Sequence, residues 1–208
     1  MTTPIKLYRY PLSGHSHRVE LMLALLDLTY EAIDVDLANG AHKAPDFLKL
    51  SPFGKVPAID DNGFTLSDSN AILVYLVQTY APTSNWLPSD PKQAAEVQRW
   101  LTIAADQIFS GPCAARLVTL FGAPIDHQGA ISKAHALFEI MNAHLSDREW
   151  LASDSISIAD VAGYSYIAHA PEGGVSLDAY SHIRSWLDRI EQQPHFVAMA
   201  ASPLPKLA

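Results

Sequence analysis

Lys55-Val56-Pro57 constrains this chain more than any other stretch. Val56, Ala58 and Ile59 read as strand, yet Pro57 among them cannot donate a ladder hydrogen bond. It also holds Val56 in an extended conformation. Cis peptide bonds are essentially confined to X-Pro, and a cis Val56–Pro57 would bend the strand and leave the Val56 N–H and C=O without ladder partners. Those two groups would then be placed to receive a second peptide by antiparallel strand addition. Further along, Asp68 and Ser69 open a helix, and its free N–H groups and macrodipole attract a carboxylate. Together the two features describe a site for a small peptide with an anionic end.

At 208 residues the chain is long enough for one large domain or two small ones. With 49% hydrophobic and 17% charged residues it has the means to bury a core. The net charge of −8 argues against nucleic acid or an anionic membrane surface as main partner. An anion site must then be built locally, from helix ends and a few lysines. Cys113 is the single cysteine, which excludes an intrachain disulfide, a Cys-x-x-Cys redox pair and a cysteine-ligated zinc site. The N-terminus does not read as a secretory signal. Val19 to Leu28 is interrupted by Glu20 and Asp27 and is too short to span a bilayer. A cytoplasmic setting, with no membrane partner, is the expectation.

Ile5–Tyr10 reads as a strand ending at Pro11, and Ser16 as the cap of a helix with apolar positions Val19, Leu21, Met22, Leu25, Leu26 and Leu28. Tyr30–Val35 is a second strand, so the pair should be parallel through a right-handed crossover. A short helix follows Pro45, and Asn62-Gly63 marks a hairpin between Val56–Ile59 and Phe64–Leu66. Asp68–Tyr80 reads as helix. Residues 1–80 thus form one α/β domain in the order β-α-β-α-β-β-α. Residues 81–91 carry three prolines and read as a linker. Residues 92–208 show helical patterns only: Lys92 to about Ser110, Cys113–Phe121, His127–Leu145, Ile158–Ala170, Tyr180–Glu191 and His195–Ala201. Pro112 should kink the first of these. Ser157-x-x-Asp160 is a capping-box variant with Asp in place of Glu.

Lys55-Val56-Pro57, Asp68-Ser69 and Ser157-x-x-Asp160, in this order and on these elements, resemble the glutathione transferase family almost end to end. The serine-using, bacterial-type members are the nearest in pattern. The resemblance implies a thioredoxin-like N-terminal domain followed by an all-α C-terminal domain. It also implies glutathione as co-substrate, no metal, a role in detoxification and a homodimer. The cysteinyl backbone of glutathione would pair with Val56 beside Pro57, and its γ-glutamyl carboxylate would sit on the Ser69 N–H and hydroxyl. Asp68 would balance the γ-glutamyl ammonium, while Lys55 and Lys43 would meet the glycine carboxylate. The bland readings are that Ser67 or Asp68 merely caps the helix and that the lysines are solvated surface.

A transferase must favour thiolate over thiol, because thiolate is the nucleophile. A hydroxyl donor at a helix N-terminus does this, and Tyr8, Tyr10, Ser13 and Ser16 are the hydroxyls available. In tyrosine-using relatives with a comparable Tyr-x-Pro stretch the tyrosine lies two residues before the proline. Arg9 stands there in this chain, and a strand alternates faces at each step. Ser13, in the loop entering the first helix, resembles the serine of serine-using classes and is read as catalytic. Tyr8 and Tyr10 are read as packing. His15 and His17 read as solvated or weakly capping rather than as a metal pair.

The loop departs from the Ser-Ser-Cys pattern of the maleylacetoacetate isomerase-like class. It holds no cysteine, which disfavours a glutaredoxin-like mechanism. Phe109, Cys113 and Arg116, near the expected kink, are the candidates to line the site of a small hydrophobic electrophile, against a reading as ordinary helix packing. Cys113 also reads as a small buried hydrophobe. Phe53 matches a position where some relatives insert an aromatic ring into a partner subunit, or else it covers its own core. Conjugation leads. Glutathione-dependent peroxide or disulfide reduction and a non-catalytic binding scaffold are the alternatives.

Overall fold

The computed structural model describes residues 3–202 and 204 and divides the chain into two compact units. The first holds the residues up to Ser84 together with Gln193–Ala200, and the second holds Asn85–Gln192 and the residues from Ala201 onward.

In the first unit, β1 (Ile5–Arg9), β2 (Tyr30–Asp34), β3 (Ala58–Asp61) and β4 (Phe64–Ser67) form one sheet in the order β2-β1-β3-β4. β1 and β2 are parallel, as the crossover through α1 (Gly14–Leu25) requires, while β3 is antiparallel to both β1 and β4. Asp61 pairs with Phe64 across Asn62 and Gly63, whose φ values of 52° and 92° make a two-residue turn of the primed kind that matches strand twist. The Val56–Pro57 bond is cis, and regular pairing of the third strand starts only at Ala58, opposite Tyr8. α2 (Pro45–Leu50) and α3 (Ser69–Tyr80) complete the unit. Ile5, Leu7, Val19, Leu21, Met22, Ile59, Ile72, Leu73 and Leu76 form its buried core. Tyr75 and Tyr80, on α3, lie outside this core. Both phenols donate to Asp61, and Tyr80 is 40% exposed.

The second unit is helical: α4 (Pro91–Ala105), α5 (Ala114–Phe121), α6 (His127–His144), α7 (Ile158–Ala168) and α8 (Ser181–Glu191). Asp90 caps α4 with Pro91 at its first position. The kink read at Pro112 is a break at Asp106 followed by a π-helical turn over Phe109–Cys113, which absorbs the N–H that proline lacks. Ser157 and Asp160 form a reciprocal capping box on α7. Asp160 is fully buried and accepts four hydrogen bonds, from Leu151 N–H and Trp186 Nε1 on one oxygen and from Ser157 N–H and Oγ on the other. Burial outweighs these donors and raises its pKa.

The helix expected over His195–Ala201 is absent; residues 196–200 carry no regular secondary structure. Pro194 and the left-handed φ of 63° at His195 turn the chain out of helix. The Val197 carbonyl then meets His17 Nε2 at 2.9 Å rather than a residue one helical turn on, and Met199 is buried.

Candidate functional site

The turn after β1 decides where α1 begins. Ser13 N–H bonds back to Tyr10 C=O at 2.9 Å, closing the turn and leaving Ser13 in extended backbone as the N-cap. Its Oγ accepts from the Ser16 N–H at 3.3 Å. Ser16, expected to be the cap, lies inside the first turn instead, and its Oγ accepts the Tyr10 N–H. The Ser13 oxygen is an acceptor in its cap bond, so its own proton stays available to a third group. That group would also feel the positive end of α1.

The tyrosines fall where packing puts them. Tyr8 meets Phe47 edge-on at 6.4 Å between ring centroids. Arg9, at the place a tyrosine would need, is tied into an ion cluster with Glu20 and Asp34.

At the start of α3, Asp68 is the N-cap, with φ 80° and its carboxylate on the Ala71 N–H at 3.0 Å. A non-glycine residue in that region is strained, and such outliers gather at functional sites. Asp68 therefore caps, as its bland reading held, while staying exposed. Ser69, the first helical residue, is 5% exposed, and its Oγ accepts from Arg18 Nη1 at 2.8 Å. The same nitrogen reaches Asn70 Oδ1 at 2.8 Å. His15 Nδ1 lies 3.4 Å from Ser69 Oγ.

The reading of His15 and His17 as solvated does not hold. His17 is 2% exposed and turned to Val197. His15 has its pKa pushed down to about 3 by burial, with the charges of Arg18 and Lys55 adding to it, so it is neutral.

Between these helix ends runs the loop to Val56. Ser51 Oγ donates to the Lys55 C=O at 2.8 Å and accepts the Lys55 N–H at 3.2 Å, and Gly54 N–H bonds to Ser51 C=O. Gly54 has φ +57°, and a Cβ there would come within 2.8 Å of His42 O, so only glycine fits. Lys43 Nζ donates to the Gly54 C=O at 3.2 Å, and Lys43 and Lys55 are both exposed. Among the described residues no hydrogen bond engages the Val56 N–H or C=O. His42 Nδ1 is buried with no partner among them.

Ser13, Lys43, Lys55, Val56, Pro57, Asp68 and Ser69 all belong to the first unit. Phe109, Cys113 and Arg116 belong to the second, and two of them correct the reading as lining for an electrophile. Cys113 and Arg116 are each 1% exposed. The Arg116 guanidinium pairs with Glu172, which also takes the His169 ring at 2.7 Å and the Ser202 N–H at 2.8 Å. A side chain held in this way inside its own unit is closed to a substrate. Phe109 stays open at 46%.

Arg18 and His42 escaped the sequence reading. The signal available for Arg18 was its place three residues after His15, on the helix that Ser13 starts; a polar residue there reads as helix surface until packing shows it buried.

Two family models match the chain: the N-terminal domain of glutathione S-transferase over residues 3–78 and its C-terminal domain over residues 126–194. Glutathione S-transferase 3 of Zea mays is 34% identical over 97% of this chain and 96% of its own length. A solved glutathione S-transferase from Pseudomonas fluorescens superposes with a TM-score of 0.87 at 32% identity, covering 95% of this chain and 99% of that one. A glutathione S-transferase-I solved with lactoylglutathione bound superposes with a TM-score of 0.80 at 27% identity, covering 93% and 96%.

Proposed function

The chain belongs to the glutathione transferase family, and we propose that its first unit binds glutathione across the N-termini of α1 and α3 with the sulfur directed at Ser13. The cysteinyl backbone pairs with the uncommitted N–H and C=O of Val56, as one added strand. The γ-glutamyl carboxylate sits on the N–H and hydroxyl of Ser69 at the positive end of α3. The free oxygen of Asp68 faces the γ-glutamyl ammonium. Lys43 and Lys55, with His42, serve the glycine carboxylate, the lysines as point charges.

The observation that carries this reading is the Ser13 hydroxyl. Its lone pair is used by the Ser16 N–H and its proton is not, at the N-cap of α1. Donation of that proton, with the helix dipole behind it, lowers the thiol pKa and holds a thiolate at neutral pH. The thiolate then attacks the electrophilic carbon of a small hydrophobic substrate. A C–S bond forms, the leaving group departs with its bonding electrons, and the thiol proton goes to solvent.

A homodimer is part of the proposal. Phe53 is 78% exposed on the loop before Val56 and covers none of its own core, which suits a ring inserted into a second copy. A monomer in sedimentation would refute it. Among the described residues no helix is long and apolar enough to cross a membrane, and a cytoplasmic setting is proposed.

Calorimetric titration with glutathione tests the reading directly. Binding heat is expected below millimolar ligand, and its absence there would leave a scaffold that keeps the fold without the ligand. A panel of model electrophiles and hydroperoxides then divides conjugation from reduction.

A further inference from the structure

α1 begins on residues that do not hold a helix by themselves. Its first turn is Gly14-His15-Ser16-His17, with no acidic side chain to complement the dipole. Glycine gives up more backbone freedom than any other residue, and serine and histidine are indifferent helix formers. The cap bond from the Ser16 N–H to Ser13 Oγ is long, at 3.3 Å. Helix ends of this kind fray, and fraying here would move the hydroxyl on which the chemistry above depends.

Gly14, Ser16 and His17 are nevertheless buried, so packing supplies the order that the sequence of the turn does not. Ser16 Oγ takes the Tyr10 N–H at 3.2 Å. Arg18 ties α1 to α3 through Ser69 and Asn70. His17 ties it to the returning C-terminal segment, and does so from the residue that bonds Ser13. Its N–H donates to the Ser13 C=O at 2.9 Å, closing the first turn. Its ring, 2% exposed, meets the Val197 C=O at 2.9 Å. A carbonyl only accepts, so Nε2 carries the proton and donates. One residue thus joins the carbonyl of Ser13 to a carbonyl 180 positions further along the chain than itself.

The segment that His17 grips is itself secured. His195 Nδ1 lies 3.8 Å from Asp27 Oδ1, beyond the C-terminal end of α1. Met199 is 6% exposed. Gln193–Ala200 and the residues up to Ser84 form one compact unit, so the anchor and the turn it steadies belong to the same body.

We propose that His17 is a positioning residue for Ser13: with its ring on the Val197 carbonyl and its N–H on the Ser13 carbonyl, it holds the first turn of α1 in the geometry that aims the Ser13 hydroxyl at the glutathione sulfur. The segment Gln193–Ala200 is thereby part of the apparatus that activates the thiol. The inference rests on the reading of Ser13 above and assigns what keeps that hydroxyl in place.

The test uses the full chain and three measurements: kcat with a model electrophile, glutathione affinity by calorimetry, and titration of the bound thiol by the ultraviolet absorbance of its thiolate. His17→Phe keeps a buried ring and removes the donor. A misplacement of about 1 Å can cost a hundredfold, so partial fraying should lower kcat by roughly tenfold. The thiol pKa in the complex should rise, while affinity stays within about twofold. His17→Gln restores a donor to the Val197 carbonyl and should recover most of the lost turnover. In a Ser13→Ala background, His17→Phe should cost little more, because the two residues act as one unit.

Wild-type kcat and thiol titration in His17→Phe overturn the proposal. So does an equal loss in His17→Gln, which would mark packing rather than the bond, and so does a loss that adds in full to that of Ser13→Ala. A fall in affinity that matches the fall in turnover, with the titration unmoved, overturns it as well. Should His17→Phe not fold, Met199→Ser unseats the segment while leaving α1 intact, and unchanged kcat and titration there count equally against it. Ser13→Ala turning over normally would sink the Ser13 reading itself, a separate result from a His17 variant that leaves Ser13 working.

Discussion

The α1–α3 end of the first unit and the α7 end of the second both bury hydroxyls and a guanidinium, yet they treat their polar atoms in opposite ways. Around α7 the carboxylate oxygens are consumed. Asp160 takes four donors, two on each oxygen. Glu172 takes Arg116, His169 and Ser202. At the α1–α3 end several groups are left open: the proton of Ser13, the first N–H of α3, and both backbone groups of Val56. A buried polar residue is therefore no mark of a site by itself. Polar atoms held in fixed positions with partners still missing are, because leaving them so costs stability unless a ligand completes them.

The largest effect expected from breaking this contrast is at Asp160. Asp160→Ala strands four buried donors, two from Ser157 and one each from Leu151 and Trp186, and should cost about 3–5 kcal/mol in denaturant unfolding. Activity per folded molecule should be unaffected, and a cost near zero would show that α7 does not depend on this hub. Ser13→Ala should do the reverse. Turnover with a model electrophile should fall about a hundredfold, with glutathione affinity much less changed and stability reduced by only about 1 kcal/mol for the lost cap. Normal turnover, or an unaltered thiol titration in the bound complex, would remove Ser13 from the chemistry.

Glu172 sharpens the comparison on the acid side. Burial pushes its pKa up, but the Ser202 N–H, His169 and Arg116 together hold it below the ordinary 4.5. A carboxylate depressed on folding stabilises the protein above its unfolded pKa, and that stability is lost as pH falls through the folded value. Glu172→Gln should therefore be less stable at neutral pH by about 2 kcal/mol, and the gap from wild type should close on acidification below 4.5. A gap independent of pH would mean that the charge of Glu172 plays no part.

What could be read from the sequence was what is local. The Asn62-Gly63 turn, the capping box at Ser157 and the bend at Pro57 each rest on residues a few positions apart, whose backbone preferences decide the outcome almost alone. Misreadings arose where two local solutions compete or where packing from afar decides. Ser13 and Ser16 are equally good caps by residue type, and the turn back to Tyr10 chooses between them. Phe196–Met199 has residues a helix accepts, but His17 takes the Val197 carbonyl. Cys113 and Arg116 were sought beside a kink, and the π turn buries the first while Glu172, in a later 3-10 turn, claims the second. Arg18 shows the same limit, since a polar position on a helix gives no sign of which of its faces will be covered.

The return of Gln193–Ala200 to the first unit has a practical consequence for dissecting the protein. No single cut liberates the N-terminal half intact: a gene fragment ending at Ser84 would omit the carbonyl that His17 grips and the Met199 side chain packed there. A faithful minimal version needs that eight-residue strip grafted on through a linker or added back as a synthetic peptide.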